Sequence, residues 1–376
     1  MVNFTFQIPT RLVFGRNRLE EAGTLASEIG ERFLVMVGQS SARQHGYLDR
    51  LVASLRSAGL ACEVYEGVSP NPRDTEADEA GALARKTKAD AIIALGGGSV
   101  MDAAKLAAVV AATGGSSWNH VTGTTSISKA LPLLVIPTVA GSGSEVANGA
   151  VITNAGLKQK LWVGSWHMIP RVALWDPVLY LTLPQKPTAE GAADMFCHVV
   201  ERWFTALDES PVADSIAIAL MKQTVSAADR LHHDPKDLGS REALALISSL
   251  AITSLTNLGR GGTFSMHAWE HVLSGQHDEV AHGAGLSALL SGWTRWMYEN
   301  YPGRGERLDQ AWGTRFRPWL TGWLRGLGLP VSLPELGVNE TDLTFLDTEL
   351  WNLNPSGFEG MTEHDTMKIW RYCLDR

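Results

Sequence analysis

Apolar runs and segments of helical periodicity alternate along the first half of the chain. The runs are short and rich in β-branched residues, which predicts strands, and the segments between them carry apolar residues at helical spacing. The predicted strands are 32–38, 61–67, 89–98 and 131–138, and the predicted helices are 46–59, 74–88 and 100–114. Continuous apolar strands separated by helices are typical of a parallel sheet that is covered on both faces. The first half therefore predicts a Rossmann-like α/β domain.

The hydrophobic pattern changes near residue 184. From Pro184 onward nearly every periodic segment has helical spacing, and no segment has a convincing strand pattern. A chain of 376 residues is also too long for one ordinary core. We therefore predict two domains, an α/β domain over 1–184 and an all-helical domain over 185–376. A cleft between two such domains is where a ligand site is expected.

Charge and apolar content exclude several kinds of partner. The net charge of −8 argues against nucleic acid, because phosphate binding needs a basic face. No basic tract is present and no apolar run is long enough to cross a bilayer, so we expect no membrane role. The first residues lack the charged start and apolar core of a signal peptide. These features predict a cytoplasmic protein whose widely spaced cysteines, Cys62, Cys197 and Cys373, are free thiols.

A glycine-rich turn, LGGGSVMDAAK, follows the predicted strand 89–98. Its three consecutive glycines (96–98) would let main chain approach a phosphate closely, Ser99 can donate a hydrogen bond, and the N-terminus of the next helix favours an anion. Lys105 could reach a phosphate or pair with Asp102. The alternative is a tight turn that needs glycine for a positive φ, which explains one or two of the glycines.

A second loop of small and hydroxylated residues, IPTVAGSGSEV, covers 136–146. Thr138 and Ser142 follow the end of the predicted strand 131–138. The carboxyl ends of the strands line the ligand crevice of an α/β sheet, so the two loops together could provide donors for a pyrophosphate and its riboses. A flexible surface loop is the alternative for either loop taken alone.

Four of the eleven histidines fall in one stretch near the middle of the second half. They are His267, His271, His277 and His282. His267 and His271 are four residues apart and share one face of a helix, and Asp194 and His198 have the same spacing upstream. Imidazole is the commonest metal ligand in proteins, so the two pairs and His282 could enclose a divalent ion. A solvated, histidine-rich helix face is the alternative.

The motifs GGGSVMDAAK, PTVAGSGSE, DMFCH, HAWEH and AHG, in this order, resemble those of the iron-containing, or group III, alcohol dehydrogenases. The resemblance covers most of the chain and is strongest to the bacterial butanol dehydrogenase and aldehyde reductase branch. It implies a dehydroquinate synthase-like fold, a Rossmann-like domain followed by an all-helical one, with a divalent metal between them. It also implies hydride transfer between NAD(P)(H) and a small alcohol or aldehyde, in a homodimer or larger homo-oligomer.

The resemblance also implies a role for individual residues. The metal ligands would be Asp194, His198, His267 and His282, and the cofactor contacts would be Gly97, Gly98, Ser99, Asp102, Thr138, Ser142 and Lys160. His271 would be the catalytic proton relay, and His277 has no counterpart. Three imidazoles and one carboxylate suit Fe²⁺ or Zn²⁺, and the sequence leaves this choice open. The chain departs from the family pattern at Val139 and Ser142 and by one extra residue before His282.

The choice between NAD(H) and NADP(H) depends on the turn after the first predicted strand. An acidic residue there would bind the ribose 2′-hydroxyl and repel a 2′-phosphate, but the segment VGQSSAR contains none. Gly38, Ser40, Ser41 and Arg43 could accept a 2′-phosphate instead. We therefore expect NADP(H) to be preferred over NAD(H). The alternative is that Arg43 points to solvent.

Other functions fit parts of the sequence. His267 to His271 spells H-x-x-E-H, a zinc metallopeptidase pattern in which Glu270 would be the general base. That interpretation leaves both glycine–serine loops, Asp194 and His198 without a role. Glycerol dehydrogenase-like polyol oxidation, a dehydroquinate synthase-like lyase and a non-catalytic nucleotide-binding module keep the fold but change the function.

Overall fold

A computed structural model describes residues 1–353 and 361–375. The chain divides into two compact units by its internal contacts. One unit is Gln7–Leu183, and the other combines Pro184–Arg376 with Met1–Phe6. The first six residues thus group with the second unit, although the hydrophobic pattern places them at the start of the α/β segment.

The first unit is built on a six-stranded sheet in which every strand pair is parallel. The strand order is β1-β8-β5-β4-β2-β3, and β6 and β7 form a separate antiparallel hairpin. The strands are β1 (Arg11–Phe14), β2 (Arg32–Gly38), β3 (Ala61–Val68), β4 (Ala91–Gly96), β5 (Leu133–Pro137), β6 (Gly149–Asn154), β7 (Gln159–Gly164) and β8 (Val172–Trp175).

Helices cover the sheet of this unit. They are α1 (Ala22–Ala26), α2 (Ser41–Gln44), α3 (Tyr47–Ser57), α4 (Asp74–Thr87), α5 (Gly98–Thr113) and α6 (Ser117–Val121). Alternate residues of β2, Phe33, Val35 and Val37, pack in one cluster with Leu51 and Leu55 of α3. Strands β4 and β5 are buried along their whole length, as continuous apolar runs require. The predicted fold class is confirmed.

The strand order places two loops at a change of direction in the sheet. The chain runs from β2 outward to β3, then returns past β2 to β4 and continues on the other side to β5. Strands β2 and β4 are neighbours, with Val37 paired to Leu95. The turns after Gly38 and Gly96 therefore start from neighbouring strands, but the chain then continues toward β3 after the first turn and toward β5 after the second. Such a switch point is where open α/β sheets bind ligands.

All regular secondary structure among the described residues of the second unit is helical. Its helices are α7 (Gln185–Phe204), α8 (Pro211–His233), α9 (Leu238–Ile252), α10 (Ser265–Gln276), α11 (His282–Asn300), α12 (Pro302–Trp312), α13 (Phe316–Gly326), α14 (Glu340–Asn352) and α15 (Glu363–Tyr372). Helix α7 is buried along most of its length and packs against α8, α9 and α11. Among the described helices, none is both long and apolar enough to cross a membrane.

Candidate metal centre and nucleotide loops

Three helices of the helical unit bring one carboxylate and three imidazoles together. Asp194 and His198 lie one turn apart on α7, His267 lies in the first turn of α10, and His282 is the first residue of α11. Asp194 Oδ1 is 3.4 Å from Nε2 of His198, 3.5 Å from Nε2 of His267 and 3.9 Å from Nε2 of His282. Three of the residues that the motifs pointed to, all histidines, therefore converge on one oxygen atom of the fourth.

This cluster fits a divalent cation. Asp194 Oδ1 and His267 Nε2 are both buried, and neither makes a hydrogen bond of acceptable geometry to any described residue. Ligand atoms of Asp194, His267 and His282 lie within 4.8 Å of one another. Buried polar atoms are normally paired, so atoms that face each other without a partner indicate a group that binds between them. Nitrogen and carboxylate ligands in this number suit Zn²⁺ or Fe²⁺.

The charge states of these side chains follow from their burial and their neighbours. Burial lowers the pKa of His198 to about 3, which leaves its imidazole neutral at ordinary pH. Burial alone would raise the pKa of Asp194, but His198 and the other two imidazoles outweigh it and hold that pKa well below its usual range. Burial also opposes protonation of His267, but the carboxylates of Glu201 and Asp194 together outweigh it and raise the pKa to about 10, so a proton must leave this imidazole when a cation binds. The centre thus contains an ionised carboxylate ready to bind a cation.

Two buried glutamates contact this centre, and neither was expected to bond a ligand histidine. Glu201 bonds Nδ1 of His267, and Glu270 bonds Nδ1 of His282. Both glutamates are completely buried. The sequence did carry a signal, since each glutamate follows a ligand histidine by three residues. Because Glu270 is bonded to His282, its carboxylate is not placed as the general base of a metallopeptidase.

The other two histidines of the stretch occupy different surroundings. His271 is half-buried, and its ring centroid is 5.8 Å from that of His282 and 6.4 Å from that of His267. It thus lies beside the ligand set. His277 follows the last residue of α10, and its Nδ1 is 3.7 Å from the exposed carboxylate of Glu279.

The glycine turn of the α/β unit allows a close approach between the two candidate nucleotide loops, 96–99 and 138–146. None of the three glycines at 96–98 has a positive φ, so the turn alternative does not explain them. A Cβ atom on Gly98 would lie 2.6 Å from Ser142 Oγ, and one on Gly96 would lie 2.5 Å from a Val100 methyl group. Gly98 begins α5, whose first amides have no acceptor within the helix and are available to an anion.

Hydroxyl groups around this turn already make hydrogen bonds within the protein. The Ser99 hydroxyl donates to the carbonyl of Pro70, so Ser99 would offer its main-chain amide to a phosphate. The Thr138 amide donates to the carbonyl of Gly96 at 3.0 Å, which joins the second loop to the end of β4. Ser142 accepts the amide of Ser144 at 3.3 Å.

Asp102 and Lys105 of α5 hold the second loop by hydrogen bonds. Asp102 accepts a hydrogen bond of 2.5 Å from the Ser144 hydroxyl. Lys105 has no exposed surface, and its ammonium group donates to Ser144 Oγ at 2.9 Å and to the carbonyls of Ala147 and Gly149 at 3.0 and 2.7 Å. Burial lowers the pKa of Lys105 to about 8. Lys105 was expected either to contact a phosphate or to pair with Asp102. Its buried ammonium group is not available to a phosphate, and it lies 4.0 Å from Asp102 Oδ1, within ion-pair distance.

Replacing Lys105 with methionine should destabilise the α/β unit and weaken nucleotide binding. The substitution removes the Lys105 donor from the carbonyls of Ala147 and Gly149 and leaves Asp102 without a cation, a change that typically costs about 3–5 kcal/mol. Thermal unfolding and a nucleotide titration measure the two effects. Lys86→Met, an exposed position on α4, is the matched control and should change neither. Unchanged nucleotide affinity in a destabilised Lys105→Met protein would show that this network does not shape the loop.

Arg43 is already bonded to an acidic side chain. Its guanidinium donates to both carboxylate oxygens of Glu66, with Nε 2.9 Å from Oε2. Glu66 lies on β3, next to the end of β2 where Gly38 is found, and Ser41 is exposed at the start of α2. The turn after β2 therefore has an acidic neighbour that the sequence did not place there. In this structure the cation expected to bind a 2′-phosphate is thus paired with a carboxylate.

Lys160 lies on β7 and is buried. Its ammonium group donates to Asn71 Oδ1 at 3.3 Å. The loop that carries Asn71 also supplies the Pro70 carbonyl that Ser99 contacts. Lys160 is thus tied to the same part of the α/β unit as the glycine turn.

Sequence and structure comparisons agree with this arrangement. A family profile described as iron-containing alcohol dehydrogenase matches residues 9–177, and one described as the C-terminal part of the Fe-containing alcohol dehydrogenase family matches residues 188–371. A probable NADH-dependent butanol dehydrogenase of Bacillus subtilis is 29% identical over all of both chains. NADH-dependent butanol dehydrogenase A of Clostridium acetobutylicum is 33% identical over 79% of this chain and 76% of the relative. The crystal structure of NADH-dependent butanol dehydrogenase A from Thermotoga maritima has 30% identity and a TM-score of 0.93, and 99% of each chain is covered.

Proposed function

Because the chain belongs to the iron-containing alcohol dehydrogenase family, we propose that its helical unit binds the catalytic metal and its α/β unit binds NAD(H). The protein is an oxidoreductase that interconverts small alcohols and aldehydes with a nicotinamide cofactor. The convergence of three imidazoles on Asp194 Oδ1 carries the proposal for the metal. Fe²⁺ and Zn²⁺ both suit this ligand set.

The ligand set of the proposed centre is Asp194, His198, His267 and His282. A bound divalent cation supplies Lewis acidity, which stabilises negative charge on the substrate oxygen. The buried carboxylate of Asp194 provides the negative charge that holds the cation, and the neutral His198 provides a lone pair without losing a proton. His271, beside the ligands and half-buried, moves the proton that accompanies hydride transfer.

The nucleotide is bound by the loops at the switch point of the sheet. Amides of Gly97, Gly98 and Ser99 bind the pyrophosphate, supported by the partial positive charge at the start of α5. Thr138, Ser142 and Lys160 line the cofactor, while Asp102 acts through Ser144, whose hydroxyl it holds. The cytoplasmic location and the homodimer or larger homo-oligomer are further parts of this proposal, and they rest on the sequence and on the family.

NAD(H) is the proposed cofactor. The Glu66 carboxylate neutralises Arg43 and would repel a ribose 2′-phosphate near the end of β2. The butanol dehydrogenases to which this chain is similar are named NADH-dependent. Both observations contradict the NADP(H) preference expected from the sequence.

An NADH oxidation assay tests the proposed function. The purified protein should oxidise NADH in the presence of short aldehydes, a chelator should abolish the reaction, and Fe²⁺ or Zn²⁺ should restore it. Chelator-resistant turnover would refute the metal-dependent mechanism. If no aldehyde or ketone supports NADH oxidation while peptides are cleaved, the metallopeptidase alternative replaces the proposal.

Replacing Glu66 with glutamine should shift the cofactor preference toward NADP(H). The substitution removes a negative charge and releases Arg43, whose planar guanidinium can then bind a phosphate through two parallel hydrogen bonds. We expect the ratio of kcat/KM for NADPH to that for NADH to rise by about tenfold, which corresponds to about 1.4 kcal/mol. Steady-state kinetics with the two cofactors and one aldehyde measure this ratio.

Glu20→Gln is the matched control for this cofactor experiment. Glu20 forms a similar exposed pair with Arg50, remote in sequence from both nucleotide loops, so its loss should leave the ratio unchanged. An unchanged ratio in Glu66→Gln as well would mean that Arg43 and Glu66 do not face the 2′-position of the ribose.

A further inference from the structure

A repeated sequence pattern links the three helices of the metal centre. On α7, Glu201 follows the ligand His198 by three residues, and on α10, Glu270 follows the ligand His267 by three residues. In each case the glutamate contacts a ligand histidine on the next of these three helices. Glu201 of α7 bonds His267 of α10, and Glu270 of α10 bonds His282 of α11.

Both glutamates are held in place by the helices around them. Each is completely buried. The second oxygen of Glu201 accepts the amides of Met266 and His267 at 2.6 and 3.3 Å, so the carboxylate also satisfies orphan donors at the start of α10. Glu270 lies against Gly285 of α11, where a Cβ atom would be 3.1 Å from Glu270 Oε1. Contacts with the helices therefore fix the positions of both carboxylates.

The contact atom on each histidine determines what the other ring nitrogen can do. A neutral imidazole carries its proton on one nitrogen and a lone pair on the other. A carboxylate bonded at Nδ1 keeps a proton there, so Nε2, the nitrogen that faces Asp194 Oδ1, is the one that can lose its proton and bind a cation. A negative partner at Nδ1 also makes the imidazole a stronger ligand. The same contact thus fixes the ring orientation and raises the affinity for a cation.

We propose that Glu201 and Glu270 are positioning residues that hold His267 and His282 in the metal-binding tautomer and orientation. His198 is held differently. Its ring stacks on that of His267 at 4.7 Å, and its Nδ1 has no hydrogen-bond partner among the described residues. The chain thus orients two of its three imidazoles through glutamates on the preceding ligand helix. This inference rests on the proposed metal-dependent function.

Metal-binding measurements on Glu201→Gln and Glu270→Gln test the proposal. Glutamine keeps the size of the side chain but removes the charge. We expect the dissociation constant for Zn²⁺, measured by competition with a chromogenic chelator, to rise by about 10- to 100-fold in each variant. The visible spectrum of the Co²⁺-loaded protein should also change, because the rings are no longer fixed. This spectrum reports ligand geometry without relying on activity.

Asp214→Asn is the control for general destabilisation. Asp214 pairs with the buried Arg260 at 2.5 Å in the same unit and has no described contact with a ligand. It should lower the melting temperature while leaving Zn²⁺ affinity and the Co²⁺ spectrum unchanged. If Glu201→Gln does not fold because Glu201 also caps α10, Glu270→Gln carries the test alone.

The outcomes separate this inference from the function on which it rests. Wild-type affinity and an unchanged Co²⁺ spectrum in both folded glutamine variants would overturn the positioning role and leave the proposed function intact. A wild-type protein that reduces aldehydes without binding any divalent ion would overturn the metal-dependent mechanism, and the positioning role with it. Weaker binding and an altered spectrum in the glutamine variants, with neither change in Asp214→Asn, would support the inference.

Discussion

Replacing Asp194 with alanine is expected to remove the bound metal and lower kcat/KM for aldehyde reduction by about 10³-fold or more. Asp194 Oδ1 is the atom on which all three ligand imidazoles converge, at 3.4, 3.5 and 3.9 Å. It also supplies the only negative charge of the proposed ligand set, and a buried cation without such a partner is strongly disfavoured. Loss of Lewis-acid stabilisation worth several kcal/mol corresponds to a rate loss of this size.

Metal content per chain, NADH turnover and NADH affinity together check this expectation. NADH affinity should remain close to wild type, because the nucleotide loops belong to the α/β unit. Asp347→Ala removes another buried carboxylate of the helical unit and should retain its metal. Full metal content in Asp194→Ala would remove Asp194 from the ligand set.

The parts of the fold that the sequence predicts are those in which burial imposes a simple pattern. Strands β2, β4 and β5 are almost entirely apolar because helices cover both faces of the sheet, so their positions can be predicted from the sequence. The sequence does not predict β1 or β8, because each is only four residues long and β1 is an edge strand with exposed side chains. It does not predict the β6–β7 hairpin either. Its glycine-flanked strands owe their stability to pairing with each other and to contacts with α5, which no local pattern records.

The candidate site shows the same limit at the level of single residues. Spacing places Asp194 and His198 on one helix face, but their approach to His267 and His282 depends on how α7, α10 and α11 pack. Lys105 and Asp102 are residue types that often bind phosphate groups or their counter-ions. Because most of α5 is buried, its sequence does not show in which direction these two side chains point. The structure turns both toward the second loop instead.

Replacing Gly283 with alanine should disrupt the metal centre without changing any ligand. Gly283 is the second residue of α11 and follows His282 directly. A Cβ atom here would lie 2.3 Å from the main-chain oxygen of Glu190 on α7 and 2.6 Å from its carbonyl carbon. Main chain of a buried helix cannot move aside cheaply, so α11 must shift by about 1 Å, at a typical cost of about 1–3 kcal/mol.

This shift would carry His282 away from Asp194, and a misplacement of about 1 Å can lower activity by about 10²-fold. Zn²⁺ affinity, kcat/KM and the melting temperature of Gly283→Ala should therefore all fall. Gly322→Ala makes the same substitution inside α13 of the same unit, where the added Cβ meets nothing within 4 Å. It should be neutral or stabilise the protein by about 0.5–1 kcal/mol, since alanine favours a helix over glycine. Wild-type Zn²⁺ affinity in Gly283→Ala would show that the close approach of α11 to α7 does not set the position of His282.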